Sequence, residues 1–498
     1  MSITPVIFRQ GTLALVEETT SGVLEKPTAN TDFVALQPDI AITPVQETLA
    51  NEQLQASLMA SKNILGRQTA TFSMSHYFKS GEVTGGNPAA PDYGLMLKAA
   101  MGSLKEVTAE QAITSVTDEK TFAVADASQY AKGDTLLIQT TSGNHARPIA
   151  GISANIITLG FELPTLPNVG ALIGMPVTYA ALNDSNQIPT LSAWHYMNNT
   201  IQAVPGVRME SVDISMPAGE LINASFSGSG LGYYKDALII DAANDQLNIE
   251  ISATPYSASI PQQAYHDEYE LAEACALALN AIPATGVVFS VSYNDNGKFT
   301  FTGDSAFALD GTQANTILPT MAFDAVLTSE VTSHTSPNLI DLTSGLSPVY
   351  DDSQPLASKS NLLLIGKANK NECVNNASVD IALANTKADL LDACEASAIG
   401  ATILNERTNT WTVVTWVQEY ESRFFRDLRK GETISVFVAA SEIEGGQFTK
   451  GKTASCYASH ATVNDIAIAD SDGAAQITME ITAFNPGDST ESFYYSFV

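Results

Sequence analysis

Alternation of apolar and polar positions dominates the chain. From Val207 to Met216 the residues Val212, Ile214 and Met216 recur at every second place. The pattern stops at Pro217-Ala218-Gly219 and resumes from Leu221 to Gly228, which predicts a β-hairpin. The run Thr410 to Tyr420 predicts another strand. Its Trp411 and Trp416 stand an odd number of residues apart, so they point to opposite faces and both faces are expected to be covered. Helical patterns are few. One covers Tyr93 to Met101, with Asp92 as its cap and Gly102 as its stop. A second follows the capping-box pattern Asp267-Glu268-Tyr269-Glu270, runs to Leu279 and ends before Pro283. A third is predicted over about Lys387 to Ala398, with Leu390, Leu391, Cys394 and Ala398 on one face. These helices separate strands instead of alternating with them, so the expected fold is mainly β and not a parallel α/β sheet.

Two stretches interrupt the strand-rich framework. Residues 106–190 contain Phe122 to Ile138, a strand, a turn, a Gly133-Asp134 bend and a strand, and predict a small β module. Residues 236–345 predict an α+β module closed by a hairpin that turns at Asn294-Asp295-Asn296-Gly297. The framework then comprises 1–105, the hairpin region 191–235 and the C-terminal part 346–498. No fixed-period repeat is visible, which disfavours a solenoid or propeller.

Composition narrows the function. The chain has 498 residues, and 24 basic against 54 acidic side chains give a net charge of −30. Such a surface repels duplex DNA, RNA and anionic lipid, whose binding depends on Lys/Arg clusters. With 45% apolar residues and 16% charged ones the chain is not of disordered composition. No apolar run approaches the ~20 residues of a membrane-spanning helix. The start, Met1 to Pro5, lacks the basic and apolar regions of a signal peptide, so a cytoplasmic origin is expected. Cys275, Cys373, Cys394 and Cys456 are scattered and are expected to be free thiols.

Candidate chemistry is sparse. Gly446 to Thr453 matches G-x-x-x-x-G-K-[ST], a phosphate loop whose anion site needs the N-terminus of a following helix. Ala454 to Val463 alternates and predicts a strand, so the motif is expected to be a hairpin. Asp470-Ser471-Asp472-Gly473 and Asn294 to Gly297 lack the other ligand positions of a calcium loop and are expected to be turns. His76, His145, His195, His266, His334 and His460 stand far apart, and no G-x-S-x-G is present. No catalytic, cofactor-binding or metal-binding residue is therefore expected. Arg423, Arg426, Arg429 and Lys430 form the one basic cluster, expected to be solvated or to face another subunit.

Several segments resemble the tail tube proteins of long-tailed bacteriophages. Gly11 to Gly22 is similar to that family's opening strand and E-x-x-x-G loop, Gly66 to Tyr77 to a sheet strand, and Ala90 to Gly102 to its short Gly-terminated helix. The hairpin 207–228 and the strands 410–420, 433–440 and 453–463 continue the similarity, which covers the framework half of the chain. The resemblance implies a β-sandwich whose subunits form hexameric rings, stacked into a tube that conducts DNA. It implies a virion location after synthesis in the host cytoplasm, homo-oligomeric contacts, and partners such as the tape measure and tail terminator proteins, with DNA passing without specific binding and no membrane. It implies no enzymatic residues. Two alternatives stay open: a capsid or decoration protein, and an exported adhesin or polysaccharide-acting protein.

Overall fold

The structure is a computed structural model that describes residues 11–51, 62–81, 83–84, 87–282, 285–294, 296–359, 361–366, 374–393, 399–417, 423–444, 447–487 and 492–498. It is mainly β, with three α-helices among these residues. Twelve of the seventeen strands of the main sheet fall into two sets of six. The first set is β1 (Thr12–Glu17), β2 (Ala41–Leu49), β3 (Ile64–Tyr77), β4 (Leu191–Met197), β5 (Thr200–Pro217) and β6 (Asn223–Gly230). The second is β7 (Leu362–Gly366), β8 (Asn376–Leu391), β9 (Ile399–Trp416), β10 (Ile434–Glu444), β11 (Gln447–Ser471) and β12 (Ala474–Ala483).

The two sets have one topology. In the first, antiparallel neighbours run β1-β4-β5-β6-β3-β2. In the second they run β7-β10-β11-β12-β9-β8, the same order element for element. Two β-bulges recur at matching places. One lies between Leu191 and Ala193 in β4 and between Ile434 and Val436 in β10. The other lies between Met209 and Ser211 in β5 and between Val463 and Asp465 in β11. Each set also places an eight-residue helix after its long hairpin: α1 (Gly94–Met101) after β3, and α3 (Arg423–Lys430) after β9. Bulges re-aim a strand. Here they accompany the bend by which β5 and β11 leave one sheet and enter the other.

One sheet is an eight-stranded run, β2-β3-β6-β5-β8-β9-β12-β11, joined in the middle where β5 pairs β8. Behind it lie β1, β4, β7, β10 and the N-terminal parts of β5 and β11. Period-two apolar positions of both layers meet in one core: Phe72, Met74, Val212, Ile214, Ile381, Leu383, Trp411 and Met479 from the front, and Leu13, Leu15, Leu363, Ile365, Val436 and Val438 from behind. Met96, Leu97 and Ala100 of α1 and Phe424 of α3 fill the same core.

The five-stranded sheet of residues 113–159 has its own apolar cluster, with Phe122, Leu136, Ile138 and Ile157. Its Leu137, Ala146 and Phe161 pack on Leu364, Phe437, Tyr457 and Tyr494, covering the back of the rear layer. The segment after β6 builds a further core around α2 (Glu268–Asn280), with Leu247, Ile249, Leu271, Phe301 and Phe307. Asp267 caps α2 by accepting the Glu270 N–H at 2.8 Å, and Asn294 Oδ1 accepts the Asn296 and Lys298 N–H groups at the predicted hairpin turn.

Four expectations are corrected. Lys387 to Leu391 is strand, the end of β8, because β9 pairs this segment residue by residue (Lys387 with Leu404, Leu390 with Ala401) and holds it extended; residues 394–398 lie outside the described ones. Asp92 does not cap α1: the N-cap position is Tyr93, and Asp92 is turned to His76 and to the Ala35 and Tyr93 N–H groups. Trp411 is buried, but Trp416 at the end of β9 is 40% exposed, because no described residue covers that end of the front face. The strand predicted over 410–420 spans Ile399–Trp416, and 418–420 lie outside the described residues.

Candidate assembly surface

The eight-stranded run ends in two unpaired edges. Among the described residues β2 pairs only β3, and the C-terminal part of β11 pairs only β12. Free edges offer rows of backbone donors and acceptors to another chain. Apolar side chains stand exposed on both: Val45 and Leu49 on β2 at 43% and 49%, and Ile468 on β11 at 59%. Inside the sheet Ile214, whose place in the first set matches that of Ile468 in the second, is buried opposite Ile381.

The front face of the run meets solvent and is rich in hydroxyls. One cross-strand row reads Ser75, Ser225, Asp213, Ala382, Thr410, Thr482, Thr462. The next reads Tyr77, Asn223, Ser215, Asp380, Thr412, Glu480, Asp465. These two rows hold four carboxylates and no Lys or Arg. Crowding on the sheet desolvates the exposed Asp213 carboxyl and pushes it above its usual range, against a bond from the Ser211 hydroxyl. Cations appear only toward the hairpin tips, and each is neutralised. Lys387 meets Asp389 at 3.3 Å and Glu210 at 3.8 Å, and Arg67 meets Glu47 at 2.9 Å.

A buried carboxylate holds the rear layer to the loop after β1. Glu18 accepts from the Gly22 N–H at 2.8 Å, the Gly206 N–H at 2.6 Å, Thr190 Oγ1 at 2.7 Å and Ser192 Oγ at 2.8 Å. Gly22 and Gly206 have φ of +83° and +65°, and a Cβ on either would meet Leu231 within 3.0 Å. This explains the E-x-x-x-G spacing: the acid needs bare N–H groups that only glycine presents at these angles.

The motif residues fall as follows. Gly446 lies outside the described residues, and Gln447 to Thr453 opens β11, which hairpins against β10. Lys452 binds Glu442 at 2.8 Å and Glu444 at 3.3 Å, bonds that hold its ammonium above the usual range, and Lys450 binds Glu110 at 2.6 Å. A strand, not a helix N-terminus, follows the lysine. Titration calorimetry of the native protein is expected to show no saturable ATP or GTP binding, and Lys452→Ala is expected to assemble as the native chain does; nucleotide binding abolished by the substitution would contradict this. Arg423, Arg426, Arg429 and Lys430 share α3, a helix that the sequence patterns did not reveal. Arg426 pairs with Asp427 at 3.1 Å, while Arg429 and Lys430 are exposed. Asp472 and Gly473 make the β11–β12 turn with φ of +51° and +85°. Cys275 and Cys456 are buried free thiols; Cys373 and Cys394 lie outside the described residues. Of the histidines, His76 is buried against Asp92 at 3.4 Å. Burial pushes the Asp92 carboxyl up, but His76 and Lys79 outweigh it and hold the group below its usual range.

Taken together, the fold and surface define a mainly β protein with a duplicated sandwich and two open sheet edges. The profile of the family described as phage tail tube protein matches residues 9–267, slightly more than half of the chain. The chain belongs to that family. Among curated proteins none matches. A solved structure described as "Crystal structure of Hcp protein" is similar at 10% identity and a TM-score of 0.14, over 20% of this chain and 61% of its own length.

Proposed function

We propose that the protein polymerises through its open sheet edges into rings, and that the rings stack into a phage tail tube whose acidic lumen conducts the genome at ejection. The observation that supports this best is the eight-stranded sheet, with a free edge at each end and one solvent-facing, hydroxyl-rich, net acidic face. A head-to-tail contact between unlike edges closes into a ring when the rotation allows. A conduit must not hold its cargo. Each phosphate neutralised by a basic group adds a salt-dependent attraction, and many in register would stall transit. A wall carrying Asp213, Asp380, Glu480 and Asp465 repels the duplex toward the axis over about 8–10 Å at physiological ionic strength.

The charge is unevenly spread. Residues 236–345 hold 14 acidic residues and one lysine, net −13, in a unit with a core of its own. We place this unit on the exterior of the tube, and the 106–190 module behind the rear layer, away from the lumen. Arg426, Arg429 and Lys430 on α3 are assigned to subunit contacts. In the virion the tape measure and tail terminator proteins are the further partners, and the role is structural. No helix among the described residues is long and apolar enough to cross a membrane.

Electron microscopy of the purified full chain tests the proposal. Rings or tubes with a central lumen, a net acidic inner wall and peripheral densities for residues 236–345 are expected. A strictly monomeric profile at every concentration would overturn the assembly, and a net basic wall would overturn the lumen assignment.

A further inference from the structure

We propose that the ring closes with three chains instead of six, each chain supplying two quasi-equivalent sectors, and that the seam between chains repeats the register of the seam inside one. This rests on the tube proposal and deepens it. The chain contains its own template for assembly: β5 of the first set pairs β8 of the second. In the duplicated topology β11 is the counterpart of β5, and β2 is the counterpart of β8. The free edge of β11 therefore stands to β2 of the next copy as β5 stands to β8.

The bulges fix the register. Matching Met209 with Val463 makes Asp213 equivalent to Ala467 and Ile214 to Ile468. Following the pairings through β6 and β3 on one side, and β12 and β9 on the other, makes Ala382 equivalent to Thr43 and Ile381 to Ile42. Inside the chain Asp213 faces Ala382 and Ile214 faces Ile381. Between chains Ala467 then faces Thr43, and Ile468 faces Ile42. The exposed Ile468 so gains the partner that its buried counterpart Ile214 already has. Strand parity agrees, because Ile42 and Ile468 both lie on the core side of the sheet, opposite the hydroxyl-bearing face.

The count follows from width. Eight strands at ~4.8 Å, tilted by about 40°, span ~50 Å of circumference per chain. Three chains enclose a lumen of roughly 40 Å after a side-chain layer of about 5 Å on each wall. Two chains leave roughly 20 Å, without clearance for a hydrated duplex, and six leave roughly 85 Å, far wider than one duplex needs.

Cysteine pairing tests both parts. In a Cys373→Ser, Cys394→Ser background, Thr43→Cys with Ala467→Cys should oxidise to covalent dimers and trimers and no larger species. Each single substitution, and the shifted pair Ala41→Cys with Ala467→Cys, should give at least about tenfold less product, because disulfides demand a close Cβ approach. Covalent species of four to six chains would overturn the count. Rings that assemble without any cross-link would overturn the register. A chain that stays monomeric at all concentrations would instead overturn the tube proposal. Should the paired variant not assemble, mass photometry of single native rings decides the count: three times 52.7 kDa supports the proposal and six times overturns it.

Discussion

Ile468→Lys is expected to abolish polymerisation while leaving the subunit folded. The side chain is 59% exposed in the single chain, so the monomer's stability should change by no more than about 0.5 kcal/mol. In the proposed seam the same position lies opposite Ile42 of the next copy, and a lysine there would be buried without a partner. Uncompensated burial of a charge costs on the order of 3–5 kcal/mol, so the concentration needed for assembly should rise more than about a hundredfold. Sedimentation velocity and microscopy would measure it. Leu277→Lys, on the exposed face of α2 at 66% exposure, serves as the control and should assemble normally. Equal loss of assembly in both variants would show that Ile468 has no special place in the contact.

The second large effect concerns folding. Glu18→Ala is expected to cost about 3–5 kcal/mol, because it leaves two glycine N–H groups and two hydroxyls without their shared acceptor. Glu18→Gln should recover part of this, since one oxygen still accepts while the new amide faces donors. Chemical denaturation of the monomer reads the difference. A loss below about 1 kcal/mol for the alanine variant would mean that water replaces the carboxylate. The expected failure is local at first: the loop after β1 loosens, and with it the hold of β4 on the rest of the rear layer.

The alternating runs made the strands legible because each has one face in the core, as Val212, Ile214 and Met216 do. The hairpins around Pro217 and Asn296-Gly297 were legible from turn chemistry alone. The duplication was not. Its two sets share topology and bulges but few residues: Phe72 stands where the second set has Trp411, and Met74 where it has Val413. Period-two patterning fixes only that a position is apolar, so sequences diverge freely while the pairing order persists. The five-stranded sheet of residues 113–159, which falls only in the first set, further hides the period. The helix predicted at Lys387 failed because Leu390 and Leu391 near a hairpin tip imitate a helical face; tertiary pairing with β9 overrode the local signal. α3 was missed for the opposite reason, since Phe424-Phe425 beside four cations suggested a surface patch, although Phe424 is a core residue. The front face was only half legible. Serines and threonines in strands signal a wet sheet face, but which of 54 acids join it depends on register.

The β5–β8 seam has a kinetic consequence. Two sectors that belong to one chain meet at the effective concentration set by their connection, of order millimolar for short tethers, and not at the concentration of free subunits. That contact forms once, during folding, and travels as a finished part. In the proposed ring three chains need only three encounters to close a circle of six sectors, and half of the joints cannot be misassembled with the wrong neighbour. The two halves are also free to diverge, since only one must carry the five-stranded sheet of residues 113–159. A ring built this way presents its outer attachments at every second sector, which leaves alternating bare positions where other tail components have room to dock.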